Sequence, residues 1–391
     1  VKKKSSAESS LYAALGASSA KAGILNAIGE GATSRYFASP SPDPSGDPGY
    51  AYFLHADGAG TKSIVAYLLY RETGDASWFR SLATDSLVMN LDDLACAGAV
   101  DALVLSNTIG RNRLLVPDEV VAEIIRGYQE LVEKLQRVGI DVIMAGGETA
   151  DVGDLVRTII VDSTVSARIP RAKLVDAYRV SAGDLIVGFS STGQSPIEST
   201  ENSGIGSNGL TLARNALLSR YHPEKYPEVK DPATPTTLAY SGEFTVTQYH
   251  PELRTSVGAA LLSPTKPYAP LIKAILKQTF DAVHSFVHCT GGGQTKIKRF
   301  GRNVRFIKDD LFPTPPIFSL IQQQAKVPWE EMYAVFNMGH RLEACVSPDV
   351  ADSIIELAGQ FGIAAKVIGR VTSGDGNNEV VIRSPHGEFT Y

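Results

Sequence analysis

The chain has 391 residues, 43% hydrophobic and 20% charged, with 37 Lys plus Arg against 42 Asp plus Glu and a net charge of −5. That length exceeds what one core ordinarily holds, so two domains are expected. The acidic balance and the lack of a basic stripe exclude nucleic acid as a partner, and any phosphate ligand must be held locally. No run of about 18 apolar residues occurs, which excludes a helical membrane span. The three cysteines, Cys96, Cys289 and Cys345, lie too far apart for a metal motif or a disulfide framework and fit a reducing cytoplasm.

Residues 1–20 have the basic opening and small-residue end of a secretory leader, but Glu8 and the serines interrupt them and no leader is expected. The Pro- and Gly-rich stretch 40–49 predicts an exposed loop. A strand is then expected over 50–56, a helix over 63–74, a buried helix with small residues over 86–99, and a strand over 100–107. Pro117 at the first helical position, Asp118 and Glu119 in the first turn, and an apolar stripe from Val120 to Val138 predict a helix that Gly139 stops. Strands follow over 140–145 and 155–169. A domain boundary falls near 170–182. The expected division is an arm over 1–49, one α/β domain over 50–172 and a second over 173–391. Strands at 185–190, 280–290 and 366–372 and a helix at 209–221 build the second domain. The prolines and tyrosines of 222–256 read as an inserted excursion rather than core, and the tail 379–391 as an edge strand.

Three glycine clusters stand at expected strand ends: Asp57 to Lys62, Ala145 to Asp151 and Cys289 to Lys296. Glycines there let backbone N–H groups approach an anion, and a following helix N-terminus favours negative charge. The first is neither a P-loop, because Thr61 separates Gly60 from Lys62, nor a dinucleotide fingerprint, because Ser63 stands where the third glycine belongs. Asp92 and Asp93 sit in an otherwise apolar helix, where bare carboxylates are expensive and a cation is a natural partner. Mg²⁺ fits their oxygens, with Asp57 and Glu148 in the glycine loops; Asp85 reads as a cap or an exposed residue. His284 and His288, four apart on a strand, lack the further N or S ligands that zinc needs, and His288 leads into the triple glycine as a substrate contact.

Most of the chain resembles the aminoimidazole ribonucleotide synthetase family, also called phosphoribosylformylglycinamidine cyclo-ligase. The motifs that carry the resemblance are Asp57-Gly-Ala-Gly-Thr-Lys62, Asp92-Asp93-Leu94, Gly146-Gly-Glu-Thr-Ala150, Ser207-Asn-Gly209, residues 263–268, His288-Cys-Thr-Gly-Gly-Gly293 and Phe336 to Gly339, in the family's order. The resemblance implies an α/β (α+β) fold of two domains, an amino-terminal sheet domain that pairs into a barrel with a second subunit and a carboxy-terminal α/β domain. It implies ATP bound by Asp57, Gly58, Gly60, Thr61, Lys62, Gly146, Gly147, Glu148 and Thr149, with Lys62 on phosphate. It implies Mg²⁺ on Asp57, Asp93 and Glu148, with K⁺ a further candidate ion. Substrate would meet Ser207, Asn208, Gly209, Thr290, Gly291, Gly292 and Gly293, and Lys62, Asp93 and His288 would serve catalysis. The implied reaction is ATP-dependent closure of an imidazole ring on a small ribonucleotide, by a cytoplasmic homodimer.

The chain departs from the family in four places. The Gly-Pro-His that usually precedes Ser-Asn-Gly is Gly204, Ile205 and Gly206, so a histidine is missing, and His288 is the candidate to replace it. Asp151, Val152 and Gly153 replace Glu-Met-Pro, the early Asp-Ala-Gly-Asn loop has decayed to 19–23, and 222–256 is extra. A selenophosphate synthetase would need a reactive cysteine near the first loop, and none precedes Cys96. A thiamine monophosphate kinase would lack much of the region around the triple glycine. A divergent member acting on another substrate, or a non-catalytic ATP-binding regulator, stays open beside the enzyme.

Overall fold

A computed structural model of the chain describes residues 10–17 and 33–391. The early loop at 19–23, and residues 1–9 and 18–20 of the leader-like stretch, lie outside those residues.

The first sheet holds β1 (Ser41–Pro42), β2 (Tyr50–Gly58), β3 (Leu103–Arg111), β4 (Val142–Asp151) and β5 (Ile159–Pro170), in the order β1-β2-β5-β3-β4. Only β3 and β4 run parallel, and α3 (Asp118–Arg137) crosses between them. Pro117 stands just before that helix rather than inside it, and acids in the first turn and bases in the last suit its dipole. The same domain carries α1 (Lys62–Thr73) and α2 (Arg80–Cys96). Alternation sends Phe53, Leu105 and Val165 into the core. Among the described residues the opposite face is bare. Leu54, Ser166, Val104 and Ile143 are aligned across four strands, with Leu54 70% and Ile143 53% exposed.

The second glycine cluster is not a strand-end turn. Gly146 to Asp151 continue β4 in register with β3, and the chain slips by one residue before Gly146, whose φ is +134°. These glycines make a bulge in an exposed edge strand, so within one chain they form no anion cradle.

The second domain is built on a seven-stranded sheet. Its strands are β6 (Leu185–Ser190), β7 (Val283–His288), β8 (Val304–Lys308), β9 (His340–Val346), β10 (Ala365–Ser373), β11 (Glu379–Ser384) and β12 (Gly387–Thr390). The order is β7-β9-β6-β10-β8-β11-β12, all antiparallel except β8 with β11. The tail therefore forms a hairpin at the sheet edge. Its longer helices are α4 (Leu210–Leu217), α5 (Ala269–Thr279), α6 (Pro316–Ala325), α7 (Trp329–Val335) and α8 (Ala351–Gln360).

Residues 222–256 contribute side chains to the core rather than standing off it as an excursion. Tyr226, Val229, Tyr240 and Val246 are buried. Glu228 accepts from the Tyr67 hydroxyl at 2.5 Å and from Arg71 at 3.2 Å, and Lys225 pairs with Glu72 at 3.2 Å. The segment thus fastens α1 of the first domain to the second. Tyr226 meets Arg71 of α1 and Tyr240 meets Arg214 and Asn215, partners 155 and 25–26 positions away that local patterning cannot reveal. His222 is enclosed within it, Nε2 accepting the Val246 N–H at 3.2 Å, and burial lowers its pKa to about 4.

Candidate active site

Helix α2 lies between the two sheets and is buried on every side, so its polar residues must find partners in protein. Helical spacing sorts them into two rows. Ser86, Asn90 and Asp93 face β2 and β5: Ser86 meets Ser163 at 2.7 Å and Asn90 Oδ1 meets His55 Nδ1 at 2.8 Å. Asp85 and Asp92 face the second domain. Asp92 Oδ1 accepts the N–H groups of Tyr268 and Ala269 at 2.9 and 2.8 Å, capping α5. Burial raises the Asp92 pKa to about 7, against the downward pull of Arg341 and those two N–H groups.

Asp93 is the centre of a charged cluster that draws on both domains. Its Oδ1 accepts from His288 Nδ1 at 2.7 Å, and its Oδ2 lies 3.5 Å from His55 Nε2. Burial works to raise its pKa, but Lys296, His288 and His55 outweigh it and hold the carboxyl below its usual value. Asp57 stands on β2 two residues beyond His55, on the same inward face; burial and the Asp93 charge push its pKa up. Lys296 reaches Thr290 Oγ1 and the Phe37 ring, 4.5 Å from its centroid. Two oxygen-rich carboxylates that repel each other beside a lysine fit a hard cation with phosphate oxygens. Among the described residues no third acid, histidine or cysteine completes a metal cluster.

The third glycine cluster does form a tight turn. Gly292 and Gly293 have φ of +98° and +50°, and a Cβ on Gly293 would stand 2.6 Å from the Phe336 carbonyl oxygen. Gly291 is exposed, Thr290 is buried, and Asn208 faces Gly291 with a buried Oδ1 that has no protein partner. Ser207 donates to Asp85 at 2.9 Å, and Tyr12 meets the backbone of Gly209.

Other expected residues lie elsewhere. Lys62 does not face the loop's open side: it is fully buried and its ammonium donates to Asp85 at 2.8 Å, Gly206 O at 3.2 Å and Ser263 O at 2.5 Å. Those three acceptors use all of its N–H groups. Asp85, expected as a cap or an exposed residue, is that lysine's buried partner and also accepts from Thr265 at 2.7 Å. Gly60 and Thr61 are exposed at the start of α1. Glu148 is separated from Asp57 and Asp93. It shares a row with Gly58, Asp162 and Thr108 on the bare outer face, three strand spacings or about 14 Å across the sheet. Gly147 and Thr149 belong to the same edge strand. His288, expected against substrate, is wholly enclosed, and burial and Arg341 lower its pKa to about 3. His55, Lys296 and Arg341 were not singled out from sequence. Only Lys296 left a signal, as the basic end of the third glycine cluster.

Two family models match the chain: "AIR synthase related protein, N-terminal domain" over residues 43–169 and "AIR synthase related protein, C-terminal domain" over 181–382. The chain belongs to the AIR synthase related protein family. Among its curated relatives, the phosphoribosylformylglycinamidine cyclo-ligase of Methanocaldococcus jannaschii is 31% identical over 323 residues, 82% of this chain and 78% of that one. The enzyme of the same name from Methanothermobacter thermautotrophicus is 31% identical over 339 residues, covering 86% and 84%. Solved structures share the fold at low identity. Thiamine-monophosphate kinase from Stenotrophomonas maltophilia superposes with a TM-score of 0.52 at 15% identity, covering 87% of both chains. T. maritima PurL complexed with ADP gives 0.52 at 15% identity, over 92% of this chain and 45% of that one. Family membership and the two-sheet α/β architecture expected from the motifs therefore stand.

Proposed function

We propose that the chain closes the imidazole ring of aminoimidazole ribonucleotide from formylglycinamidine ribonucleotide, using ATP and releasing ADP and phosphate, in de novo purine biosynthesis. The reading is supported by relatives that bear the cyclo-ligase name. The observation that carries it is the meeting of Asp57 and Asp93 from one domain with Thr290 and Lys296 from the other. The γ-phosphoryl group passes to the formyl oxygen, ADP leaves, an internal nitrogen attacks the activated carbon, and the C–O bond breaks to expel phosphate. Such a reaction asks for placement and charge neutralisation more than for covalent help.

Each group has a part in that scheme. Asp57 and Asp93 would hold Mg²⁺, which supplies neutralising charge to phosphate oxygens when bound. Lys296 adds a fixed positive charge, steadied by Thr290, while Gly291, Gly292 and Asn208 offer donors and an acceptor to the ribonucleotide. Neutral His288 acts through Asp93, holding the carboxylate's orientation with its Nδ1–H. A homodimer is part of the reading: the bare row through Leu54, Val104 and Ile143 and the open edge of β4 would bury against a second copy, bringing Glu148 into that interface. Three buried free thiols fit a reducing cytoplasm.

Asp57→Asn and Asp93→Asn test the site. Each is expected to raise the Mg²⁺ concentration for half-maximal turnover at least about tenfold while the melting temperature stays close to wild type. A variant that simply unfolds marks its carboxylate as structural.

A further inference from the structure

Strand β9 begins irregularly. His340 pairs with Ser190 and Leu342 with the adjacent Phe189, so Arg341 is the extra residue of a bulge. Bulges re-aim side chains, and this one sends Arg341 into the domain junction, where it is 2% exposed. Its Nη2 donates to the Lys266 carbonyl at 3.1 Å and lies 3.5 Å from Asp92 Oδ2, while Nε has no protein partner. The side chain lies over Gly206. A Cβ at that position would stand 3.1 Å from Arg341 Cδ and 3.2 Å from Nη1, on backbone with φ +67°. Gly206 O in turn accepts from Lys62, and Ser207 donates to Asp85. On the far side of Asp92, His288 Nε2 stands 3.8 Å from Oδ2 with no hydrogen bond of its own, while its Nδ1 holds Asp93.

A buried guanidinium with one unpaired N–H and a loose carboxylate contact is costly, and an apolar residue of similar volume would pack at least as stably. We infer that Arg341 is a positioning residue: it fills the side-chain space of position 206, and through Asp92 and His288 it fixes the orientation of Asp93. Positions 206 and 341 are therefore coupled: a side chain larger than a methyl at 206 requires Arg341 to give way. The inference rests on the ring-closing reading for its catalytic half and on packing alone for the coupling.

Arg341→Met keeps the volume and removes the fork. It is expected to melt at or above the wild-type temperature, with kcat at least tenfold lower and the KM for ATP within twofold; unchanged kcat would reduce Arg341 to a filler. Should that variant not fold, Arg341→Lys, which keeps charge without the planar fork, is expected to show the same kcat loss. Coupling is read from the unfolding midpoints of wild type, Gly206→His, Arg341→Gly and the double variant. The double is expected to be more stable than Gly206→His alone, whereas additive losses would overturn the inference. Because unfolding needs no substrate, failure of the coupling is distinct from failure of the proposed reaction.

Discussion

Lys62 carries three N–H groups out of water and needs three acceptors there, which Asp85, Gly206 and Ser263 provide. Breaking one side of a buried pair leaves the other bare, so Lys62→Ala is predicted to lower the unfolding free energy by about 3–5 kcal/mol, measured by denaturant titration. If stability holds and only ATP affinity falls, Lys62 is a phosphate contact after all. The Gly-Thr-Lys motif was legible, yet the direction of its lysine was not, because its partners lie 23, 144 and 201 positions away. The same limit hid Asp85 and His55. A carboxylate in an apolar helix announces that it has a partner; its identity is fixed by the packing of a second domain. Asp93 was legible as a partnered carboxylate for that reason, while His288, Lys296 and His55 as its neighbours were not.

At the scale of elements, periodicity decides what can be read. Helix α3 shows one apolar stripe and one charged face, and its ends fall within a residue or two of expectation. Helix α2 is buried all round and has no such stripe, so only its composition marked it. Glycine misled at β4, where Gly146 serves a bulge in a continuous strand; turn and bulge demand the same backbone freedom. The outer face of the first sheet has no covering layer among the described residues. Leu54 and Ile143 share a row on it, so a Leu54→Glu, Ile143→Glu double variant is predicted to shift the mass by light scattering from about twice 41.8 kDa to the single-chain value. A wild-type protein that stays at 41.8 kDa at all concentrations contradicts the dimer.

For the whole molecule, the division into two α/β units was legible from length and from the run of alternating elements. Their docking was not, and docking makes the candidate site. Asp57 and Asp93 come from the first domain, Thr290 and Lys296 from the second, and residues 222–256 strap the two together through Glu228 and Lys225. Helix α2, shared by both cores, lets the domains hold charged groups in register without exposing the groups that support them. Ring closure with ATP is the reaction proposed for this junction. It is tested by incubating the purified protein with ATP, Mg²⁺, K⁺ and formylglycinamidine ribonucleotide, and quantifying ADP and aminoimidazole ribonucleotide together. Equal amounts of both, with no ADP formed when the ribonucleotide is omitted, are predicted. Tight ATP binding with no ribonucleotide-dependent ADP release would contradict the account and leave a nucleotide-binding regulator in its place.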